Sequence, residues 1–402
     1  MALEIQSPLQ SPLLTTTFGD VFEKLRMASS SSSNDSDEHN VQDLDLNPAH
    51  DFPYNHIRVR ELGDGSEGIV DAYVHKPTGT CLAVKMIQNK PHLPAEVNIL
   101  RKIPYHESII HMYGFYGAQP QPDTDCILFE HCSGGDLFDL QKNSFEVNNA
   151  VFTEESMWAI LRQLSSALAF LHEGVGCADP EQQAVWHPVI HRDIKLENVF
   201  VTSFGVKTDL SDIKIKIGDF GLATFYDPED KRMPGHWGTS ILWPPEQTWE
   251  GREATPAGDV WAVGCIIHEL AHGFPPIEDP ELHREQAMKS RHGAQLDRRL
   301  DPNIKRFYWE AKTPRWPLPI NIDPEAHEFD RRRLRPTPRY SDTLNQCMAM
   351  SLQLRMEDRA TAGELLEVVE EMEAAYHFRE LEKETMAMVV DLTGDDSDDE
   401  EY

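Results

Sequence analysis

Two hydrophobic periods divide this chain, and they narrow the choice of fold class more than any other feature. From about residue 56 to 131 apolar and polar residues alternate in twos, broken by Gly and Pro, as in a small antiparallel sheet. From about 132 to 376 the period lengthens to that of helices, most clearly over Glu154–Leu171 and Asp259–Ala271. One short helical stretch, Ala95 to Ile103, interrupts the sheet-forming part. Strands gathered in one part and helices in the next predict an α+β fold. Within the helical part, residues 277–340 are rich in Pro and Arg and read as an insertion with short helices.

The flanks read differently. Residues 1–55 carry a serine run (Ser29–Ser33) and few large apolar side chains, so a disordered arm is expected. Only Phe18, Val21, Phe22 and Leu25 are spaced to share one helical face there. Residues 377–402 read as an acidic tail, and its last stretch, Asp391–Tyr402, holds seven carboxylates. The formal net charge of −31 excludes nucleic-acid binding through a general phosphate-neutralising surface and suits basic partners or basic peptides. Six cysteines without a CxxC pair read as reduced thiols. No secretory signal is expected at the N-terminus. The apolar run Val260–Leu270 is too short for a bilayer and contains His268 and Glu269. The expectation is a protein of the cytoplasm, the nucleus or both, without a membrane partner.

Glu61-Leu-Gly-Asp-Gly-Ser-Glu-Gly-Ile-Val70 sets glycines at 63, 65 and 68. Such spacing suits phosphate, because backbone N–H groups can approach the oxygens where no side chain intervenes. A dinucleotide-binding fold would follow these glycines with a helix. Here Ile69–Val74 and a Pro77-Thr-Gly79 turn read as strand, turn, strand, which favours a flap over ATP. Ala83-Val-Lys85 then ends an alternating run, and a lysine there can neutralise phosphate if a carboxylate steadies its ammonium. Glu96 is the candidate carboxylate.

His191-Arg-Asp-Ile-Lys-Leu-Glu-Asn198 and Asp219-Phe-Gly221 follow in order, and with them the chain resembles the eukaryotic protein kinase family, serine/threonine type, over roughly 56–376. The resemblance implies a two-lobed fold. A small antiparallel-sheet N-lobe (56–131) and a larger helical C-lobe (132–376) would close over Mg-ATP. It also implies transfer of the γ-phosphate to Ser/Thr hydroxyls of protein substrates, a reaction that needs positioning and charge neutralisation more than covalent help. By that resemblance Asp193 would orient the substrate hydroxyl and accept its proton. Lys195, which sets the chain apart from tyrosine kinases, would contact the γ-phosphate beside Lys85 and its partner Glu96. Asn198 and Asp219 would ligate Mg2+, a hard cation suited to oxygen donors. Leu62, Gly63, Gly65, Gly68, Val70, Ala83 and Lys85 would line the nucleotide site. In Ile127–Leu137, Phe129 would back the adenine pocket, the backbones of Glu130 and Cys132 would face adenine, and Asp136 would reach the ribose or a basic substrate. Thr239 matches the serine/threonine-type loop, and Arg359 is placed to pair with Glu246.

Several features complicate this reading. His268-Glu-Leu-Ala-His272 fits the zinc-protease pattern HExxH, yet Phe274-Pro-Pro276 breaks the helix at once and the run also matches the end of the kinase central helix. Only ten residues separate Lys85 from Glu96, which implies a short helix. Glu67 puts a carboxylate at the flap tip, and Gly235 stands where a phosphorylated Ser or Thr is usual. An Arg before the catalytic Asp ordinarily needs an anion, and Asp227, Glu229 or Asp230, or modification of Thr224 and Tyr226, could supply it. Val389–Thr393 followed by acids resembles a motif that adds as a strand to the small ubiquitin-like modifier SUMO. With the basic run Arg331–Arg335, that motif points to the nucleus. By the kinase resemblance Asp136, Glu197 and Glu269 lie where related kinases read arginines, which with the acidic charge suggests basic substrates. The alternative to an enzyme is a pseudokinase scaffold acting through protein–protein contacts.

Overall fold

The computed structural model describes residues 52–65, 68–147, 152–206, 210–230, 238–250, 253–323, 326 and 338–393. The calls on Phe18–Leu25, Glu67, Gly235 and Arg331–Arg335 fall outside these residues.

After a single turn of helix, α1 (Phe52–Asn55), the alternating segment folds into β1 (His56–Gly65), β2 (Gly68–His75), β3 (Cys81–Gln88), β4 (Met112–Tyr116) and β5 (Thr124–Glu130). The sheet order is β1-β2-β3-β5-β4, antiparallel at every pairing. Period two decides which side each residue faces. In β3, Leu82 and Val84 are buried with Phe52, Tyr73 and Leu128 on one side of the sheet. Lys85 is turned to the other side, in register with Val70 on β2 and Ile127 on β5. Between β3 and β4 the chain makes only α2 (Ala95–Leu100), six residues, as the short gap after Lys85 implied.

The helical part begins with α3 (Leu137–Val147) and α4 (Glu154–Glu173). Thr153 caps α4, its hydroxyl accepting from the Ser156 N–H, and Gly174 ends it at φ +69°. The Trp186 ring lies so close to Gly174 that an added Cβ would come within 2.8 Å of it. The segment before β6 (Val189–Ile190) holds a short helix, α5 (Pro180–Ala184). Next come β7 (Val199–Ser203), β8 (Lys214–Ile217) and β9 (Thr224–Phe225). β7 pairs with β8 and β6 with β9, which carries the intervening loops to the sheet-facing end of the lobe.

α6 (Pro256–His272) is the buried axle of this part. Trp261, Val263, Ile267 and Leu270 on it join Phe170, Leu168 and Trp158 of α4 in one core. Burying a side chain such as Phe170 or Leu270 stabilises by roughly 1.5–3 kcal/mol over leaving it exposed. The region 277–340 contributes α7 (Pro280–Met288), α8 (Arg291–Arg299) and α9 (Pro302–Lys312), each opened by an Asp or Ser cap. α10 (Asp342–Ser351) and α11 (Ala362–Thr393) are the last helices among the described residues.

α11 starts against α4 and the core through Leu365, Val369 and Tyr376, then continues with Phe378, Leu381, Met386 and Met388 exposed. It keeps helical backbone to Thr393. The segment 377–393 thus keeps helical backbone, and strand addition to SUMO by Val389–Thr393 would first require that turn to unwind. Among the described residues no helix is long and apolar enough to cross a membrane.

Candidate active site

Three elements supply the nucleotide-facing charges. Lys85 from β3 donates to Glu96 Oε2 on α2 at 3.0 Å and to Asp219 Oδ1 at 2.8 Å. Glu96 Oε1 accepts the Phe220 N–H at 3.0 Å, which ties α2 to the Asp219–Gly221 turn. Burial pushes the Glu96 carboxyl up, while the Lys85 ammonium and the Phe220 N–H favour its anion. At Asp219 burial also opposes ionisation, but Lys85, His191 and Lys195 outweigh it and hold that carboxyl below its usual range. Asp219 sits at φ +59°, a left-handed conformation uncommon outside glycine. Phe220 is fully buried under α2.

The second set of groups lies on the loop after β6. Asp259, at the start of α6, is buried and accepts the backbone N–H groups of His191 at 2.7 Å and Arg192 at 2.9 Å. Its other neighbour is the His172 ring, 3.0 Å away. The ring Nε2 of His191 lies 2.9 Å from the Gly218 carbonyl, so that nitrogen carries the hydrogen. This loop therefore hangs from the core on one side and from the Asp219 turn on the other.

On it, Asp193 has both carboxylate oxygens placed. The Thr239 hydroxyl donates to Oδ1 at 2.8 Å, and Lys195 Nζ lies 3.0 Å from Oδ2. Asn198 Nδ2 donates to the Asp193 backbone carbonyl at 2.8 Å and to Oδ2 at 3.3 Å. With its NH2 so engaged, Asn198 has its amide oxygen left to offer a cation. The Gly218 N–H donates to the Asn198 carbonyl at 2.9 Å, which sets Asn198 beside the residue preceding Asp219. Two oxygen donors fit a hard divalent cation that keeps waters and phosphate oxygens in its shell. Among the described residues no group of three His, Cys, Asp or Glu could hold a metal ion by itself.

The roof over this cleft is the β1–β2 hairpin. Gly63 pairs with Val70 and Gly65 with Gly68. At Gly68 an added Cβ would lie 2.1 Å from the Met86 carbonyl, so only glycine fits there. Leu62 is half-exposed, and Ala83 on β3 pairs with Phe129 on β5. At the end of β5 the Glu130 N–H donates to the His111 carbonyl at 3.0 Å, which leaves the carbonyl of Glu130 as its candidate contact to adenine. The Glu130 carboxylate turns away, to the His111 N–H at 2.6 Å and Lys216 Nζ at 2.8 Å. Cys132 lies in the same crossing, and burial pushes its thiol up to about 12. Asp136 caps α3 through the Asp139 N–H; burial, with help from Asp139 and Glu197, raises its carboxyl to about 6.

One expectation changes with the geometry and another holds. Arg192 does not turn to Asp227, Glu229 or Asp230: its Nε donates to the Leu222 carbonyl at 2.5 Å, and Asp259 is the carboxylate that acts on its charge. His268 and His272 are buried and bonded to backbone. His268 Nδ1 lies 3.0 Å from the Phe274 carbonyl, and its Nε2 accepts the Leu318 N–H. His272 Nε2 lies 3.3 Å from the Leu318 carbonyl. The HExxH run thus stitches α6 to the segment that follows it. Arg359 donates to Glu246 through both Nη nitrogens, at 2.6 and 3.0 Å.

A cleft lined by Asp193, Thr239, Leu242 and Trp243 opens beside the catalytic loop. Glu310 and Arg315, which the sequence did not single out, hold the Ser240–Trp243 stretch beside it through the Ser240 hydroxyl and the Ser240 and Trp243 carbonyls. Lys216 was also missed, since Lys214-Ile-Lys-Ile217 reads as an ordinary alternating strand.

Comparison with known proteins agrees with this geometry. Residues 56–369 match the protein kinase domain family, and the chain belongs to that family. It is 33% identical over 275 residues to a probable serine/threonine-protein kinase nek2 of Dictyostelium discoideum, covering 66% of this chain and 58% of that protein. It is 30% identical over 257 residues to the G2-specific protein kinase nimA of Emericella nidulans, covering 58% of this chain and 35% of the relative. A serine/threonine-protein kinase Nek1 of Toxoplasma gondii is 27% identical over 319 residues, 77% of this chain and 17% of the relative. The chain thus spans little more than half of the first of these relatives and much less of the others.

Proposed function

We propose that this chain transfers the γ-phosphoryl group of Mg-ATP to serine or threonine hydroxyls of other proteins. The observation that carries the reading is the pairing of two preset groups across one cleft. Lys85 is held between Glu96 and Asp219, and Asp193 is held by Thr239, Lys195 and Asn198. In this reading the substrate hydroxyl oxygen forms the new P–O bond, the bond to the β-phosphate oxygen breaks, and Asp193 takes the hydroxyl proton. Lys85 and Lys195 would balance phosphate charge. Asn198 and Asp219 would hold the magnesium ion, which supplies charge neutralisation at the transferring group. The roof residues Leu62, Val70 and Ala83, with the crossing Glu130–Cys132, would hold the adenine.

Basic substrates are favoured by the acidic groups at the mouth of the site. Asp136 feels the charge of Glu197, which after burial is one cause of its raised carboxyl. An arginine of the substrate would relieve that repulsion.

The test is transfer of labelled phosphate from Mg-ATP to a peptide library, followed by identification of the phosphorylated residue. Label on serine or threonine, enriched in peptides with upstream arginine, is the expected result. Label on tyrosine, or none beyond that of a blank, rejects the reading.

A further inference from the structure

We infer that Arg315, from the segment that reads as an insertion, is a positioning residue for the acceptor side of this site. The inference rests on the phosphoryl-transfer reading above and concerns what holds the loop that faces Asp193. Thr239, whose hydroxyl meets Asp193 Oδ1, is followed by a tight turn over Ser240–Leu242 and then by Trp243. The Arg315 guanidinium grips both ends of that turn: Nη2 donates to the Ser240 carbonyl at 2.8 Å and Nε to the Trp243 carbonyl at 2.6 Å. Its Nη1 donates to the Glu310 and Thr313 carbonyls at 3.0 and 2.9 Å, which anchors the fork to the end of α9.

A second bond runs in parallel. The buried Ser240 hydroxyl donates to Glu310 Oε2 at 2.7 Å, and Glu310 Oε1 accepts Arg306 Nε at 2.7 Å. Arg315 itself is pinned to the exit of α6, where it bridges Ile277 and where the next residue, Trp316, donates its N–H to the Pro276 carbonyl. Burial lowers the Arg315 pKa to about 10, so the fork stays cationic at neutral pH. A planar guanidinium fixes several carbonyls in one geometry, which a lysine ammonium cannot reproduce. All four of these hydrogen bonds end on the acceptor side of the cleft or its support. Loss of the fork should let the Thr239 loop drift from Asp193 while the Lys85 side keeps its geometry. A displacement of about 1 Å at a reacting group lowers rate by roughly 100-fold.

The experiment compares full-length wild type, Arg315→Ala, Arg315→Lys and Asp193→Asn for peptide phosphorylation and for Mg-ATP affinity. The expected result for Arg315→Ala is a fall in kcat toward peptide of roughly 10- to 100-fold, with Mg-ATP affinity unchanged within about twofold. Ethylguanidinium added to the solution should restore part of the rate, and Arg315→Lys should fall between. Wild-type transfer by Arg315→Ala, or parallel loss of transfer and nucleotide binding, overturns the inference. Where Arg315→Ala fails to fold, Arg315→Lys decides: a wild-type rate from it overturns the role. A wild type that labels no peptide instead overturns the activity reading, and this role with it.

Discussion

The two sides of the cleft are held in different ways. The nucleotide side is a knot of opposite charges: Lys85 bridges two carboxylates from separate elements, under a β1–β2 hairpin whose glycines leave room for phosphate. The acceptor side is held through backbone. Arg315 grips carbonyls, Asp259 grips N–H groups, and Arg359 joins Glu246 while also donating to the Ala257 and Gln353 carbonyls. A charge knot can respond to an incoming cation and phosphate. Backbone anchoring sets a loop in place whatever its side chains are. The two sides meet at Asp193 and Asn198, so damage to one should spare the other.

The largest break in that comparison should come from Lys85→Met. It removes the ammonium from a site where the Lys85 and Glu96 side chains are 10% and 4% exposed. Breaking such a buried pair typically costs about 3–5 kcal/mol. Transfer should fall by roughly two orders of magnitude or more, as expected for loss of preset electrostatic stabilisation. The stability loss should shrink as pH falls, because burial already raises Glu96 and the variant leaves it with no cation. A carboxyl raised on folding binds its proton more tightly in the folded state, so stability declines as pH rises through its folded pKa. Denaturant midpoints at several pH values check the sign; a deficit that grows on acidification would contradict it.

Arg359→Ala should break the acceptor side by stability rather than chemistry. The Arg359 side chain is fully buried and Glu246 is 22% exposed, so a loss of about 3 kcal/mol is expected in chemical denaturation. Mg-ATP affinity of the folded fraction should stay near that of wild type, and a drop of tenfold or more would show the two sides to be coupled.

A smaller effect sharpens the substrate reading. With its carboxyl raised to about 6, Asp136 gains a proton as pH falls through that value and loses its attraction for a cation. KM for an arginine-containing peptide should rise several-fold between about pH 7 and 5.5, as removal of one partly buried charge contact predicts. Asp136→Asn should flatten that limb. A limb that persists in the variant assigns it to another group.

The fold was legible because each half states its period repeatedly, and the nucleotide side because Lys85, Glu96 and Asp219 sit in short motifs of fixed chemistry. Asp193 and Asn198 were legible for the same reason. Arg315 was not, because an arginine that binds carbonyls needs no complementary residue type anywhere in the chain. It also stands in a stretch where arginine is common. Lys216 was hidden by its strand, where alternation makes a lysine look solvent-facing although it is 9% exposed and paired with Glu130. The helix at the end of α11 was not legible, because its charge drew attention from its helix formers. Glu, Leu, Lys, Met and Ala dominate residues 379–388, and the helix nucleated against α4 can propagate through them.

The most direct test of the account is a paired measurement on Asp193→Asn: Mg-ATP affinity by equilibrium binding, and phosphate transfer to the peptide selected by wild type. The account predicts affinity within about twofold of wild type and transfer reduced by at least about 100-fold, the scale of a lost general base. Transfer at the wild-type rate would contradict the role of Asp193 and with it the meeting point of the two sides.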